Sequence, residues 1–170
     1  MMNLVFPSHL IKSRTRSSNI QVYHNRPFPI EEILAVLYPL FGQFYPYDDF
    51  IRMITDSDHI FCAYDRIQRR CVACALVNNK GRNGGLYLML FGVRQSNQQR
   101  GVGTQLLKSV VRWAYQSGYA YIYLHVHVDN YKAIGLYEKV GFRPDEYLQG
   151  YYRQTPKENP HAYRMLLKLR

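Results

Sequence analysis

The 170-residue chain lacks several features, and each absence excludes a class of protein. Its longest apolar runs, such as Leu86–Phe91, are far shorter than the roughly 20 residues that cross a bilayer, so we predict no transmembrane segment. Acidic residues are scarce, 12 against 22 Lys and Arg, and the net charge is +10. No zinc-finger spacing or basic-region heptad accompanies this charge, and we therefore predict no DNA binding.

The positive charge predicts affinity for polyanions and leaves three alternatives open. One is nucleic acid or the ribosome surface, and the second is a small polyanion such as coenzyme A. The third is a basic surface without a specific partner. A hydrophobic content of 47% and a charged content of 20% are typical of one globular domain.

Cysteine is also scarce, and its odd count of three argues against a disulfide-framed secreted module. Cys71 and Cys74 form a C-x-x-C pattern within Cys71–Val77, which has the composition of a β-strand. Residues three apart on a strand point to opposite faces, so this pair is expected neither to join nor to share a metal. We predict core cysteines, no metal site and a reducing compartment, the cytoplasm or also the nucleus.

The first thirty residues contain no Asp or Glu, and Lys12, Arg14 and Arg16 lie there among several serines. This composition is faintly similar to a transit peptide, but a basic surface tail is the favoured interpretation. We therefore divide the chain into a basic extension over residues 1–19 and one domain over residues 20–170.

Periodicity predicts the element order β-α-α-β-β-β-α-β-α-β-β. The predicted strands are Ile20–Tyr23, His59–Tyr64, Cys71–Val77, Leu86–Val93, Tyr121–Val126, Phe142–Gln149 and Tyr163–Leu169. The predicted helices run from Pro29 to a stop at Pro39, from Asp48 to Ile54, from Arg100 to Ser117 and over Tyr131–Val140, with Phe41–Tyr47 as a loop. A β-α-β crossover makes the fourth and fifth strands parallel neighbours. The predicted fold class is α/β, with a mixed, mostly antiparallel sheet of six to seven strands and helices on both faces.

The junction at Gln98–Thr104 joins a strand to an amphipathic helix and carries Gly101 and Gly103. Glycines allow close backbone approach, and the N–H groups at a helix start attract an anion. The junction lacks the Gly-Lys-Ser/Thr of a P-loop and the third glycine of a dinucleotide fingerprint. Taken alone, the pattern also fits an ordinary tight turn.

A second pattern follows at Asn130, Ala133, Tyr137, Gly141 and Phe142. Asn130 is placed to cap a helix or to bind a ligand amide. Tyr137 lies seven residues later on the same helix face, so it either points into the same cleft or serves as a core aromatic.

Together, Q-x-x-G-x-G after a strand and the later N-x-x-A-x-x-x-Y-x-x-x-G-F resemble the GNAT superfamily of acyl-CoA-dependent N-acetyltransferases. The resemblance covers Ile20 to the C-terminus and implies the GNAT fold. The segments Tyr87–Met89, Tyr123–Val126 and Tyr151–Tyr152 are similar to those of protein N-terminal acetyltransferases of the NatE and NatF type.

The resemblance implies acetyl-CoA as cofactor and assigns residues to it. Backbone groups at Phe91, Gly92 and Val93 would bind the acetyl and pantetheine arm. The pyrophosphate would be held by Gln98, Gln99, Arg100, Gly101, Val102, Gly103 and Thr104, and further cofactor contacts would come from Asn130 and Tyr137.

The same resemblance implies the catalytic and substrate residues. Tyr87 and His125 would act through a water as the base, and Tyr137 would protonate the leaving thiolate. Substrate would be held by Tyr87, Met89, Tyr151 and Tyr152. The aromatic residues Phe41, Phe44 and Tyr45 depart from the relatives' sequence, and they either line an apolar substrate pocket or form core between the two short helices. His127 faces the same side of its strand as His125 and is a competitor for the base.

The amine chemistry favours protein N-termini as substrates. An α-amine has a pKa of about 7.7–8.0 and is partly neutral at pH 7, whereas lysine, near 10.4, is almost fully charged. We predict direct acetyl transfer in a ternary complex to peptide α-amines, with a hydrophobic first residue such as retained Met. The alternatives are acetylation of lysine or a small amine, and a coenzyme A-binding or ribosome-binding module without turnover. The ribosome or other acetyltransferase subunits are further predicted partners.

Overall fold

The computed structural model describes residues 19–153 and 159–170 as one seven-stranded sheet with four helices. The strands are β1 (Ile20–His24), β2 (His59–Asp65), β3 (Arg70–Gly81), β4 (Gly85–Val93), β5 (Tyr121–His127), β6 (Arg143–Leu148) and β7 (Ala162–Lys168). The helices are α1 (Ile30–Phe41), α2 (Tyr47–Thr55), α3 (Val102–Gln116) and α4 (Tyr131–Val140). Residues 1–18 of the predicted basic extension lie outside the described residues.

The sheet order is β1-β2-β3-β4-β5-β7-β6, and β4 with β5 is the parallel pair. The other neighbouring strands pair antiparallel. This confirms the predicted mixed sheet and its central parallel pair. None of the helices within the described ranges has the length and apolarity to cross a bilayer.

Helices cover both faces of the sheet, as predicted. The apolar stripe of α3, with Leu106 and Val110 fully buried, packs with α4 on one face. Residues of α1 and α2, including Leu37 and Phe50, form a second core on the opposite face. No helix contributes buried residues beyond these two cores in the described chain, and α1 and α2 lie over the β2–β4 half of the sheet.

A β-bulge at Met89 changes the direction of the last residues of β4. Leu76 pairs with Leu90 and Val77 with Leu88, so Met89 is the extra residue on its strand. Leu88 and Phe91, three residues apart, therefore lie on the same α3 side of the sheet. The bulge thus orients the C-terminal end of β4 toward α3.

The prediction that Pro39 stops the first helix was wrong, because α1 continues through it to Phe41. A proline so close to a helix end removes only one backbone hydrogen bond. The Gly42 N–H then bonds the Tyr38 carbonyl, and a 3₁₀ turn over Gly42–Phe44 follows. The predicted loop at Phe41–Tyr47 is therefore partly helical.

The prediction that Cys71 and Cys74 face opposite sides was also wrong. A bulge at Val72 shifts the register, since Ala63 pairs with Ala73 but Tyr64 pairs with Cys71. Both cysteines consequently lie in the α1-side core. The Cys62 and Cys74 Sγ atoms are 3.4 Å apart, and all three cysteines are buried and free. The expectation of core cysteines is confirmed.

Candidate functional site

The central parallel strands separate toward their carboxyl ends. β4 and β5 pair through only three residue pairs, the last being Tyr87 with Tyr123. Beyond these residues the described strands have no mutual pairing, although β4 continues to Val93. Backbone groups of β4 that point toward β5 there have no strand partner, and such groups require another one. The separation leaves an open wedge with unpaired main chain along one side.

The start of α3 lies next to this wedge and has an uncapped, glycine-preceded N-terminus. Gly101, the residue before the helix, has a φ of 81°, and Gln99 also has a positive φ of 58°. No side chain caps the helix, and its first turn contains no acidic residue. Free N–H groups and the positive end of the helix dipole therefore remain available to a phosphate group.

Two residues of this segment also serve the packing of α3 on β4. Gln98 Nε2 donates to the Val93 carbonyl at 3.0 Å, which ties the loop to the strand end. A Cβ on Gly103 would lie 3.3 Å from Val93 Cγ2 and 3.4 Å from Leu136 Cδ2. Glycine at position 103 thus lets the first turn of α3 approach the β4 end closely.

The remaining predicted cofactor residues occupy different surroundings. Gln99 and Arg100 are exposed, Thr104 is half-buried, and Val102 is a core residue. Gly92 faces α1, where a Cβ would come within 2.8 Å of Leu37 and Leu40 atoms. Any ligand contact of Gly92 and Val102 must therefore use their backbone.

Asn130 and Tyr137 lie on α4, which packs beside α3. Asn130 Oδ1 accepts from the Ala133 N–H at 3.3 Å, so its side chain caps α4. The Tyr137 ring is buried against Phe91 and Phe142, with ring centroids 6.1 and 5.8 Å away. Burial raises the pKa of Tyr137, and nearby Tyr152 raises it further. The phenol therefore keeps its proton at neutral pH.

His125 lies at the edge of the wedge and joins two tyrosines. Its Nδ1 is 3.2 Å from the Tyr87 hydroxyl and 2.8 Å from the Tyr151 hydroxyl. Burial raises the pKa of Tyr87, and Tyr151 raises it further, so the Tyr87 hydroxyl remains protonated. The structure thus brings together three residues that are 26 or more positions apart in sequence.

The charges around His125 come from β6 and β7. Burial lowers the pKa of His125, and the Arg164 guanidinium lowers it further, while Glu146 and Asp145 act in the opposite direction. Arg164 on β7 lies directly opposite His125 on β5 in the strand register. Its guanidinium donates to the Asp145 carboxylate from Nε and Nη2, at 3.0 and 2.7 Å. Its Nη1 is 3.0 Å from Glu146. The imidazole is therefore neutral at neutral pH and can accept a proton.

The sequence reasoning did not identify the ion-paired residues Arg164, Asp145 and Glu146. No local sequence signal identifies them, because only the pairing of β5 with β7 places Arg164 opposite His125. His127, the predicted competitor, has both ring nitrogens engaged. Its Nδ1 accepts from the Asp129 N–H at 3.1 Å, and its Nε2 bonds the Asn159 carbonyl.

An aromatic wall closes the side of the site that belongs to α1. Tyr45 packs on Phe50 with centroids 6.1 Å apart, and Phe41 and Met89 border the same core. Burial raises the pKa of Tyr45, and Tyr151 raises it further. Phe44 lies half-buried in the connecting 3₁₀ turn.

Tyr152 completes the opposite wall. Its ring stands edge-on to Tyr151 with centroids 4.9 Å apart, and its pKa is raised by burial, then by Tyr151 and Tyr45. The predicted substrate residues Tyr45, Tyr151 and Tyr152 come from two distant segments, and we call the space between these segments beside His125 the slot. Across the described ranges no group of three or more His, Cys, Asp or Glu residues can hold a metal ion.

Comparison with known proteins places this architecture in a family. A model of the Acetyltransferase (GNAT) family matches residues 28–142, about two thirds of the chain. The chain belongs to the GNAT family. The wedge, the α3 start and the Tyr87–His125 contact all lie within the matched residues, whereas Tyr151 and Arg164 lie beyond them.

Individual relatives match a shorter part. N-alpha-acetyltransferase 50 of Danio rerio is 30% identical over 96 residues, which cover 56% of this chain and 57% of that protein. The probable N-acetyltransferase san of Drosophila melanogaster is 27% identical over 96 residues, or 56% of this chain and 52% of that protein. The chain thus matches little more than half the length of each relative.

Solved structures share the fold over most of the chain. Arabidopsis thaliana Naa50, in complex with the bisubstrate analogue CoA-Ac-MVNAL, has a TM-score of 0.72 at 24% identity and covers 88% of this chain and 99% of its own. A GNAT family acetyltransferase of Elizabethkingia anophelis with acetyl-CoA bound has a TM-score of 0.69 at 18% identity, covering 89% and 99%. These similarities confirm the predicted GNAT fold.

Proposed function

We propose that the chain is an acetyl-CoA-dependent N-acetyltransferase that acts on the α-amine of peptide N-termini. The observation that carries this proposal is the contact of His125 Nδ1 with the Tyr87 and Tyr151 hydroxyls at the edge of the β4–β5 wedge. A neutral imidazole and two hydroxyls beside an open strand end supply a proton acceptor next to a binding channel.

The residues of the wedge fit the cofactor. Phe91 and its β4 neighbours would bind the pantetheine arm through unpaired main chain, and the uncapped first turn of α3 after Gly101 would hold the diphosphate. Acetyl-CoA, when bound, supplies an acetyl group that is activated as a thioester. Membership of the GNAT family, and two relatives named as acetyltransferases, support this assignment.

The protein groups would divide the proton transfers. Tyr87 would pass the amine proton, received through a water, to Nδ1 of His125, whose lowered pKa keeps it free to accept. Tyr137 would donate the proton that the leaving thiolate takes up, and its raised pKa keeps the hydroxyl protonated until then. Both walls of the slot would exclude bulk water from this relay.

The slot also favours a peptide over a small amine. Tyr151 and Tyr152 lie on one segment with ring centroids 4.9 Å apart, so their hydroxyls would hold backbone amides while the apolar residues on the α1 side would receive the first side chain. We therefore propose a preference for hydrophobic first residues such as Met. The peptide part of the bisubstrate analogue in the Arabidopsis structure also begins with Met, which supports this proposal.

The experiment is acetyl-CoA turnover on peptides that differ only in their first two residues, each with a free or a blocked N-terminus. We expect acetylation of free, Met-starting peptides and its loss on blocking. Turnover that persists on blocked, lysine-containing peptides would assign the enzyme to ε-amines instead. Coenzyme A binding without turnover on any amine would indicate a binding module.

The other predicted properties depend on sequence alone. Association with the ribosome or with other acetyltransferase subunits, and a cytoplasmic or nuclear location, stay predictions. A net charge of +10 supports binding to an anionic surface in general.

A further inference from the structure

A groove at the outer edge of the sheet has no part in the proposed reaction. It has a volume of about 400 Å³ and lies where β1, the end of β2 and the start of α1 meet. Its walls combine two kinds of side chain, three aromatic and three cationic: Tyr23, Phe28, Tyr64, Arg26, Arg66 and Arg69. This volume is sufficient for a small organic ligand.

The groove is separate from the candidate cofactor site. Tyr64 and Phe28 border the α1-side core, and Tyr23 shares their face because it pairs with Cys62 of that core. Phe91 and Val93 at the wedge instead border the α3-side core. The sheet therefore lies between the groove and the start of α3.

The aromatic residues present partly exposed rings. Phe28 and Tyr64 are nearly parallel, with centroids 6.0 Å apart and an angle of 22° between the rings. Tyr23 stands edge-on to both, at 5.7 and 6.3 Å. All three rings are half-buried, so each retains accessible surface on which a planar group can stack.

The three arginines outnumber the one lining carboxylate, so the groove carries a net positive charge. No ion pair within residues 19–153 and 159–170 involves Arg26, Arg66 or Arg69. The one lining carboxylate, Glu32, accepts from the Cys71 N–H at 2.9 Å. The Arg26 guanidinium also lies 4.6 Å above the Tyr23 ring, which orients it beside the aromatic surface.

We propose that this groove binds a nucleotide, with the base on the aromatic rings and the phosphate on the arginines. Stacking surfaces beside unpaired guanidinium groups suit a ligand that joins a planar ring to an anion. An acidic peptide would bind the arginines and leave the accessible surface of the aromatic rings uncovered. The volume accommodates about one nucleotide, supplied either free or as a unit of single-stranded RNA.

The test measures fluorescence anisotropy of a labelled six-nucleotide RNA with the full chain, and competition by AMP. We expect R66E/R69E to weaken RNA binding at least about tenfold and to reduce the slope of log affinity against log salt by about 0.7, the value for the one phosphate that the groove holds. F28A should weaken binding about fivefold or more because the base has less aromatic surface on which to stack. If AMP competes with the RNA, the free nucleotide is a ligand of the groove. If AMP does not compete, the ligand is single-stranded RNA.

The matched control is R112E/K139E, which changes the net charge equally at exposed positions on α3 and α4. We expect its affinity to stay within about twofold of the parent. Each variant must retain the parent's melting temperature and coenzyme A affinity, which reports on folding without any need for acetyl transfer. Four results would overturn the proposal. The first is an equal loss of RNA affinity in R66E/R69E and R112E/K139E, and the second is loss of RNA binding at saturating coenzyme A. The third is displacement of the RNA by hexaglutamate with an affinity that F28A leaves unchanged, and the fourth is no binding of either RNA or AMP.

Discussion

Two glycines at the ends of α3 have nearly the same φ, and only one of them lies at the proposed cofactor site. Gly101, before the helix, has a φ of 81°, and Gly118, after it, has a φ of 88° with nothing within 4 Å of an added Cβ. An L-residue in this region costs about 1–2 kcal/mol. We therefore expect G101A and G118A to lose similar stability, while only G101A alters the proposed anion-binding start of α3.

The expected size follows from the length of the chain. A loss of about 1–2 kcal/mol lowers the melting temperature by about 2–8 °C in a domain of this size. Differential scanning calorimetry of both variants measures this loss. G118N should lose less than G118A, because asparagine tolerates positive φ better than alanine.

The two variants should separate in cofactor binding. We expect G101A to raise the Kd for coenzyme A about tenfold, equivalent to about 1.4 kcal/mol, because a displaced loop no longer presents the first N–H groups of α3. G118A should bind as the parent does. Isothermal titration calorimetry measures both constants. If G101A lost stability and kept the parent's Kd, the helix start would not be where the diphosphate binds, and an unchanged melting temperature of G118A would contradict the strain argument.

Three further predictions concern histidines. H125A should lower kcat by about 10²–10⁴-fold in the acetylation assay. H127A should keep kcat and lower the melting temperature, because the His127 ring makes two hydrogen bonds to the backbone. The reverse pattern would assign the base to His127. R164Q should move the acidic limb of the kcat/KM profile against pH to higher pH, because Asp145 and Glu146 then raise the pKa of His125 without opposition from Arg164. If the limb does not move, Arg164 does not control the pKa of His125. Burial lowers the pKa of His24, His59 and His125 below 6.5 in the folded chain, so the unfolded chain binds more protons than the folded one. The melting temperature should therefore fall as the pH decreases from 7 to 5. A melting temperature that does not change with pH would contradict the lowered pKa values.

Most strands and helices were predictable because their apolar periodicity and their turn residues agree. Leu106 and Val110 repeat at helical spacing on α3, and Gly141 ends α4 with a φ of 116°, as its sequence indicates. Pro39 was misjudged because a proline near a helix end costs one bond, which packing compensates.

The bulges at Val72 and Met89 were not predictable from periodicity. A single extra residue at Val72 or Met89 reverses the alternation of every following side chain, and it leaves no mark in an apolar strand that is buried on both faces. The side on which Cys71 and Phe91 lie therefore required the pairing of neighbouring strands.

The candidate site was predictable only where residues belonged to a recognised motif. Arg164 and Asp145 are separated by 19 positions, and either one alone resembles an ordinary surface charge. Their effect on His125 depends on which strands become neighbours, and that is decided by the order β5-β7-β6. Tertiary assembly supplies this information, while local sequence does not.

The narrow junction between β4 and β5 has a mechanical consequence. Three residue pairs connect the antiparallel β1–β4 half of the sheet to the half formed by β5, β7 and β6. The hydrogen-bonded connection between the two halves is therefore short, and a molecule that bonds the unpaired main chain of β4 would extend it. Amide exchange along the free rim of β4 should then slow far more than exchange in β2 when coenzyme A is added.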